Sequence, residues 1–314
     1  MIRTAEEGAS VLKRGGLLAI PTETVYGLAA NAFDEAAVAR IFKAKGRPTY
    51  DPLILHIADV AALKQLVRNV YPEARMLAEE FWPGPLTLVL PKKEIVPDLV
   101  TAGLDTVAIR MPDHPLTLEL LGKIDFPLAA PSANPFGYVS PTSAAHVAQQ
   151  LGGRIDAILD GGTTRVGLES TIIGFPGGRP TLYRYGGLES ERIESLIGSL
   201  DYVASSSSDP LAPGMLEKHY SPSKKVLLGD PAALAAQLEA PFAILSFRSG
   251  FETAAALEVF TLSARGDLHE AAHRLFMGLR RLDALPVEYI LAELLPEEGL
   301  GRAINDRLRR AAAR

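Results

Sequence analysis

The chain contains no cysteine. That absence excludes disulfide frameworks, thiolate nucleophiles and Cys-ligated zinc together, and it fits a reducing compartment. There is no excess of positive charge either: the formal net charge is −5 over 314 residues. Nothing draws the molecule as a whole to nucleic acid or anionic lipid, so a polyanion site must be a local concentration of Lys and Arg in a cleft. No apolar run is long enough to span a bilayer, and the start Met1-Ile2-Arg3-Thr4-Ala5-Glu6-Glu7 carries acid where a signal peptide would be apolar. The expected location is cytoplasmic. Neither G-x-x-x-x-G-K-[ST] nor G-x-G-x-x-G occurs, which removes the P-loop and the dinucleotide fingerprint and leaves any nucleotide to a less common device.

Two short segments then stand out. Ala44-Lys45-Gly46-Arg47-Pro48 offers two cations just after a helix, and Ala130-Pro131-Ser132-Ala133-Asn134 offers a hydroxyl and an amide on a Pro-stiffened turn after an apolar strand. Lysine is a point charge and arginine a planar fork of donors, so together with Ser132 and Asn134 they suit phosphate or carboxylate oxygens.

At 47% hydrophobic residues the chain is globular, and its length suits two domains of unequal size. Thr4-Ala5-Glu6-Glu7 reads as a capping box opening a helix that Gly15-Gly16 ends; Leu17 to Ile20 reads as a buried strand stopped by Pro21. A helix from Asp34 to Lys45, a strand Leu53 to Ile57 and a helix from Asp59 follow. Strands are expected at Leu86 to Leu90, Thr106 to Arg110, Pro127 to Ala130, Ile155 to Leu159, Ser170 to Phe175 and Thr181 to Arg184. Some follow one another with no helix between, which predicts a mixed sheet in an α/β domain. The polar run Asp201 to Pro210 reads as a linker. Beyond it, strands at Lys225 to Leu228, Phe242 to Phe247 and Tyr289 to Leu294 alternate with helices at Pro231 to Glu239 and Leu268 to Ala284 and an Arg-rich terminal helix, a second α/β unit of about ninety residues.

Several residues have both a chemical and a plain reading. Thr22 to Gly27 is a loop at a strand end, where open α/β sheets bind ligands, and equally a turn held by its own threonines. His56 in an apolar strand reads more simply as a satisfied core residue than as a ligand contact. Arg110 closes a buried strand, so it either meets an internal carboxylate or waits for an anion. His269-Glu270-Ala271-Ala272-His273 satisfies H-E-x-x-H, with Glu288 or Glu293 as a third zinc ligand; its plain reading is a solvated amphipathic helix.

In order along the chain, Pro21-Thr22-Glu23-Thr24-Val25-Tyr26-Gly27-Leu28, Lys45-Gly46-Arg47-Pro48, Pro52-Leu53, Trp82-Pro83-Gly84-Pro85-Leu86-Thr87, Ala108-Ile109-Arg110-Met111-Pro112, Ala130-Pro131-Ser132-Ala133-Asn134 and Glu169-Ser170-Thr171 closely resemble the YrdC-like family. Its signature is the K-x-R and S-x-N pairs. The likeness continues through Pro213-Gly214-Met215 and Lys218-His219-Tyr220-Ser221-Pro222 to Gly299 through Leu308, as in the family's long two-domain form, the L-threonylcarbamoyladenylate synthases; 229–265 matches only loosely.

The resemblance implies a YrdC-like twisted mixed sheet with helices and a concave cationic cleft in 1–200, a linker or lid in 201–222, and a small Rossmann-like α/β domain in 223–314. It implies an enzyme that converts L-threonine, bicarbonate or CO2, and ATP into threonylcarbamoyl-AMP and pyrophosphate, with Mg²⁺ on the triphosphate and a separate tRNA threonylcarbamoyl transferase downstream. Carried over residue by residue, Thr24, His56, Arg110, Ala130 and Ser170 would contact threonine. Arg47, Asp51, Thr106, Ser132, Ser140 and Arg184 would contact ATP, Lys45 and Asn134 would complete the signature tetrad, and His219 and Tyr220 would serve the nucleotide and the lid. With such a lid, cutting the chain near Ser206 is expected to leave the binding residues intact and lower turnover. Asp51 would repel phosphate unless Mg²⁺ or a ribose hydroxyl intervened. No serine–histidine nucleophile is needed, because positioning and charge stabilisation suffice for such an adenylylation. The competing reading is an RNA-binding module that uses the same cleft without catalysis; acidity and the lack of aromatics interleaved with the basic residues weigh against it.

Overall fold

The computed structural model describes residues 1–203, 212–213, 215, 220–248 and 255–313. Local signals act as expected at the first helices. Thr4 and Glu7 form the reciprocal capping box of helix Ala5–Lys13. Asp34 caps helix Glu35–Lys45, which ends where Gly46 takes a left-handed conformation at φ 63°.

The strands, in chain order, are β1 (Leu18–Ile20), β2 (Gly27–Asn31), β3 (Ile54–His56), β4 (Leu86–Pro91), β5 (Thr106–Arg110), β6 (Leu128–Ala129), β7 (Ala157–Ile158), β8 (Thr171–Gly174), β9 (Thr181–Arg184), β10 (Asp201–Tyr202), β11 (Lys225–Leu228), β12 (Phe242–Ser246), β13 (Val259–Thr261) and β14 (Tyr289–Ala292). The first ten form one sheet in the order β10-β9-β8-β4-β5-β3-β6-β2-β1-β7. It is mixed: β3 runs parallel to β5 and antiparallel to β6. The other four form an all-parallel sheet, β11-β14-β12-β13, flanked by helices Leu268–Asp283 and Leu300–Ala312. β2, β10 and β13 are strands that sequence patterning does not give. The expected linker begins with Asp201 and Tyr202 still paired to β9.

Strand alternation gives the large sheet two different faces. Leu55, Leu88, Val107, Ile109 and Ile173 point into the main core, packed with Ile41 and Phe42 of helix Glu35–Lys45 and Leu77 of helix Pro72–Phe81. Ile54, Val89, Ala108, Ile172 and Tyr183 point the other way, where Ala212 and Met215 of the interdomain segment cover them. The candidate site lies on this second face. The second domain is less separate than a linker suggests, since Val25, Val139 and Leu168 of the large domain pack in one cluster with Leu275, Phe276 and Leu279. Gly167, at φ 82°, lets the chains meet there: a Cβ would lie 2.6 Å from the Cα of His273. Among the described residues no helix is long and apolar enough to cross a membrane.

Candidate active site

A pocket opens on that face, lined by Thr22, Thr24, Val25, Gly27, Arg47, Ile54, His56, Arg110, Ala130, Pro131, Ser132, Glu169, Ser170, Arg184 and Pro213. Eight residues singled out from the sequence therefore meet in one place: Thr24, Arg47, His56, Arg110, Ala130, Ser132, Ser170 and Arg184. They come from the loop before β2, the turn after helix Glu35–Lys45, the ends of β3, β5 and β9, and the loops flanking β6 and β8. All lie on the open face because of strand alternation and one irregularity. A register shift between Ile172 and Ile173 sets Arg184 opposite Ile172, whose side chain faces the cavity side.

The first arginine is built on a paired carboxylate. Arg110 donates from Nη1 to Thr24 Oγ1 at 2.8 Å, and its Nη2 lies 2.6 Å from Glu23 Oε1. Glu23 is fixed in turn by the main-chain N–H of Asp113 at 3.0 Å. Thr24 Oγ1 lies 2.7 Å from Thr22 Oγ1, which donates to Val25 O at 2.6 Å. The plain reading of this loop, a turn held by its own threonines, and its placement at a ligand cavity are therefore both correct descriptions of it.

His56 stands beside Arg110 in the parallel register of β3 and β5. Burial, reinforced by the Arg110 charge, pushes its pKa down to about 3, so the imidazole is neutral at physiological pH. It is buried and also lines the cavity; the two readings of a strand histidine do not exclude each other.

The K-x-R pair divides its labour. Gly46 turns the chain between the two cations, and they diverge. Lys45 Nζ donates to the main-chain carbonyls of Ser132 at 2.5 Å and Asn134 at 2.6 Å. Its burial, with the nearby Arg47 charge, pushes its pKa well down. It does not line the cavity. Arg47 does, and it is held by Asp51 Oδ1 at 2.8 Å and by the carbonyls of Asp51 and Pro52. Asn134 spends its amide N–H on the carbonyls of Pro135 and Tyr138, at 2.8 and 2.9 Å.

Four further sequence choices lie elsewhere in this arrangement. Asp51, fully buried, is the counter-charge of Arg47 rather than a wall of the cavity. Ser140 is also fully buried and donates to Glu169 Oε1 at 2.5 Å. Thr106 shares the face of Ala108 and Arg110 but starts the strand that Arg110 ends, about 13 Å away along β5. Tyr220 is packed in the second domain, its ring 5.7 Å from that of Phe276 and flanked by the guanidinium carbons of Arg307 at 5.0 Å and Arg310 at 4.8 Å. Its hydroxyl acts through space on Arg47 and Arg184, two arginines of the cavity, while burial among Arg307, Arg310 and Phe276 ties the end of the linker to the second domain. His219 and the cut point near Ser206 lie outside the described residues.

The H-E-x-x-H side chains point to separate partners. Among the described residues no three His, Asp or Glu side chains converge. His273 Nδ1 lies 3.1 Å from Arg165 O, His269 Nε2 lies 3.4 Å from Glu189, and Glu270 accepts from Ser263 Oγ at 2.7 Å. Glu293 accepts from Phe247 N at 2.8 Å. The helix is amphipathic, as its plain reading has it, but it docks on the large domain.

Thr22, Glu23, Glu169 and Arg307 take part in this arrangement without having been marked as site residues by the sequence. Glu23 and Glu169 sit inside quoted motifs, and the rule that a buried arginine needs a carboxylate could have selected Glu23. No sequence signal ties Arg307 to the cavity.

A family model described as "Telomere recombination", of the Sua5, YciO and YrdC proteins, matches residues 10–186, and one described as "Threonylcarbamoyl-AMP synthase, C-terminal domain" matches 188–313. The chain belongs to the Sua5/YrdC family. Within this family it is 48% identical to the threonylcarbamoyl-AMP synthase of Pyrococcus abyssi, over 97% of this chain and 92% of that one. It is 41% identical to the Bacillus subtilis enzyme of the same name, over 98% and 92%. The crystal structure of P. abyssi Sua5 complexed with L-threonine superposes with a TM-score of 0.92 at 46% identity, covering 98% of this chain and 94% of that one. Both domains of the family's long form are thus present, in the same arrangement.

Proposed function

We propose that this chain is a threonylcarbamoyl-AMP synthase that binds L-threonine, CO2 supplied by bicarbonate, and ATP as its Mg²⁺ complex in the cavity on the open face of the large sheet. The observation that carries the proposal is the convergence of Arg47, Arg110 and Arg184 with the hydroxyls of Thr24, Ser132 and Ser170 around one cavity. The reaction brings a carboxylate, a carbamate and a triphosphate together, and a set of fixed cations and donors is what such crowding needs.

The amine of threonine forms a bond to the carbon of CO2 and gives up a proton. An oxygen of the resulting carbamate then bonds to the α-phosphorus of ATP as the bond to the pyrophosphate leaving group breaks. Arg110, oriented by Glu23 and Thr24, takes the threonine carboxylate. Neutral His56 and Ser170, whose Oγ lies 2.7 Å from Thr87 Oγ1, shape the amino-acid pocket by hydrogen bonding rather than charge. Arg47, Ser132 and Arg184 take phosphate oxygens. Catalysis is positioning and charge stabilisation, and closing the site to water during turnover would protect the carbamate and the mixed anhydride. The product feeds a tRNA threonylcarbamoyl transferase in the cytoplasm.

Pyrophosphate release from MgATP, with and without L-threonine and bicarbonate, is the test. Release that needs both supports the synthase, and serine and valine as alternatives read the selectivity. A site that bonds the hydroxyl rejects valine more sharply than it rejects serine. Release indifferent to threonine would remove the proposal.

A further inference from the structure

The three arginines of the cavity differ in their counter-charges. Arg47 has Asp51 at 2.8 Å and Arg110 has Glu23 at 2.6 Å. Arg184 has no carboxylate partner among the described residues. Its Nε and Nη2 donate to Ser170 O at 3.1 and 2.9 Å, Nη2 also to Ser170 Oγ at 3.2 Å, and Nη1 to Pro213 O at 3.2 Å. All of these acceptors are neutral, and among the described residues the charge of Glu169 reaches it only through space, without an ion pair.

A carboxylate is nevertheless close by. Glu169 precedes Ser170 and lines the same cavity. It is held by two other partners: Ser140 Oγ donates to Oε1 at 2.5 Å, and Arg307 Nε donates to Oε2 at 3.1 Å. Arg307 belongs to helix Leu300–Ala312 of the second domain and is fully buried. It is fixed in turn by Tyr185 O at 2.8 Å, Asp306 Oδ2 at 2.7 Å and the face of Tyr220. Released from Arg307, this buried carboxylate would turn to a nearby cation that lacks an ion pair, and Arg184, on which its charge already acts, is such a cation.

We propose that Arg307 is a positioning residue for the anion site: by pairing with Glu169 it keeps that carboxylate off Arg184 and so leaves the Arg184 charge available to a nucleotide phosphate. The second domain thereby sets the charge of a cavity whose lining belongs almost wholly to the first. This inference rests on the reading that Arg184 meets phosphate.

Calorimetric titration of the full-length protein with MgATP, and separately with L-threonine, tests it. Arg307→Met weakens ATP binding by about tenfold or more while threonine binding stays within about twofold, because the freed Glu169 competes for Arg184 alone. Adding Glu169→Gln to Arg307→Met restores most of the lost ATP affinity, which a merely structural role for Arg307 does not predict. Arg307→Lys, the milder variant should the methionine protein fail to fold, keeps the cation and holds ATP affinity within about threefold. Unchanged ATP affinity in folded Arg307→Met, no recovery in the double variant, or a tenfold loss in folded Arg307→Lys would each overturn the inference. Arg184→Gln separates it from the underlying reading. If the wild type binds ATP and Arg184→Gln weakens it while Arg307→Met does not, only the inference falls; if the wild type does not bind ATP, both fall.

Discussion

Lys45 Nζ donates to the main-chain carbonyl of Asn134 across 2.6 Å, joining segments 89 residues apart in sequence. With its second donation, to Ser132 O, the lysine clamps the turn that presents the Ser132 hydroxyl to the cavity. The K-x-R and S-x-N signatures are thus one structural unit, in which only the arginine and the serine line the cavity.

Lys45→Met leaves both carbonyls without their donor in a buried place. The expected cost is about 2–4 kcal/mol of stability, read by denaturant unfolding. With Ser132 no longer held, kcat/KM for pyrophosphate release falls about 100-fold. A protein of wild-type stability and rate would show that the clamp is dispensable.

Arg110→Lys keeps a charge but loses the fork that reaches Thr24 and Glu23 together. The KM for threonine rises about 10- to 100-fold, with a smaller change for ATP. Steady-state kinetics with each substrate varied in turn decides; an equal rise in both values would place Arg110 outside the amino-acid pocket.

His56 makes stability depend on pH in a definite direction. Its folded pKa is about 3 against 6.5 as the ordinary value, so below pH 6.5 the unfolded chain takes up a proton that the folded chain refuses. Stability therefore falls with falling pH from 6.5 towards 3, by up to about 1.4 kcal/mol per pH unit. His146, pushed down to about 4 by burial and the Arg280 charge, acts the same way. In His56→Gln only the first contribution disappears. Between pH 7 and 4.5 the wild type should lose about 2–3 kcal/mol more than the variant in urea unfolding, and parallel pH curves would contradict this.

Arg280 pins the second domain to the first. It donates to Ser140 O at 3.2 Å, Gln150 Oε1 at 2.9 Å and Val139 O, and lies 5.2 Å from the centre of the Tyr138 ring. Arg280→Met costs about 2–4 kcal/mol of docking. The chain's one tryptophan, Trp82, lies in the large domain. Its fluorescence and the far-UV circular dichroism should therefore unfold together in the wild type and separate in the variant; coincident transitions in both would show that other contacts suffice.

Much of this was legible in the sequence because it is local. The capping box at Thr4 and Glu7, the Asp34 cap and the Gly46 stop each depend on a few neighbouring residues. Strand alternation along Thr106 to Arg110 sets Arg110 on the face opposite Val107 and Ile109 whatever strand lies beside it. The ordered motifs named the family and most of the cavity's lining. Where patterning failed, the cause was local too: β2 runs Gly27-Leu28-Ala29-Ala30-Asn31, small and apolar up to its last residue, so no alternation of apolar and polar side chains marks it as a strand.

The tertiary structure alone decided how charges are shared. The partner of each arginine is set by distance through space: Glu23 for Arg110, Asp51 for Arg47, and Glu169 for Arg307, which lies 138 residues away. It also decided that Lys45 holds a backbone turn, that Tyr220 anchors the linker in the second domain, and that a shifted register turns Arg184 to the ligand face. Sequence patterns report which side of an element a residue occupies, because that follows from helix and strand periodicity. They do not report which element faces it, because pairing across a sheet or between domains is fixed only when the whole core packs.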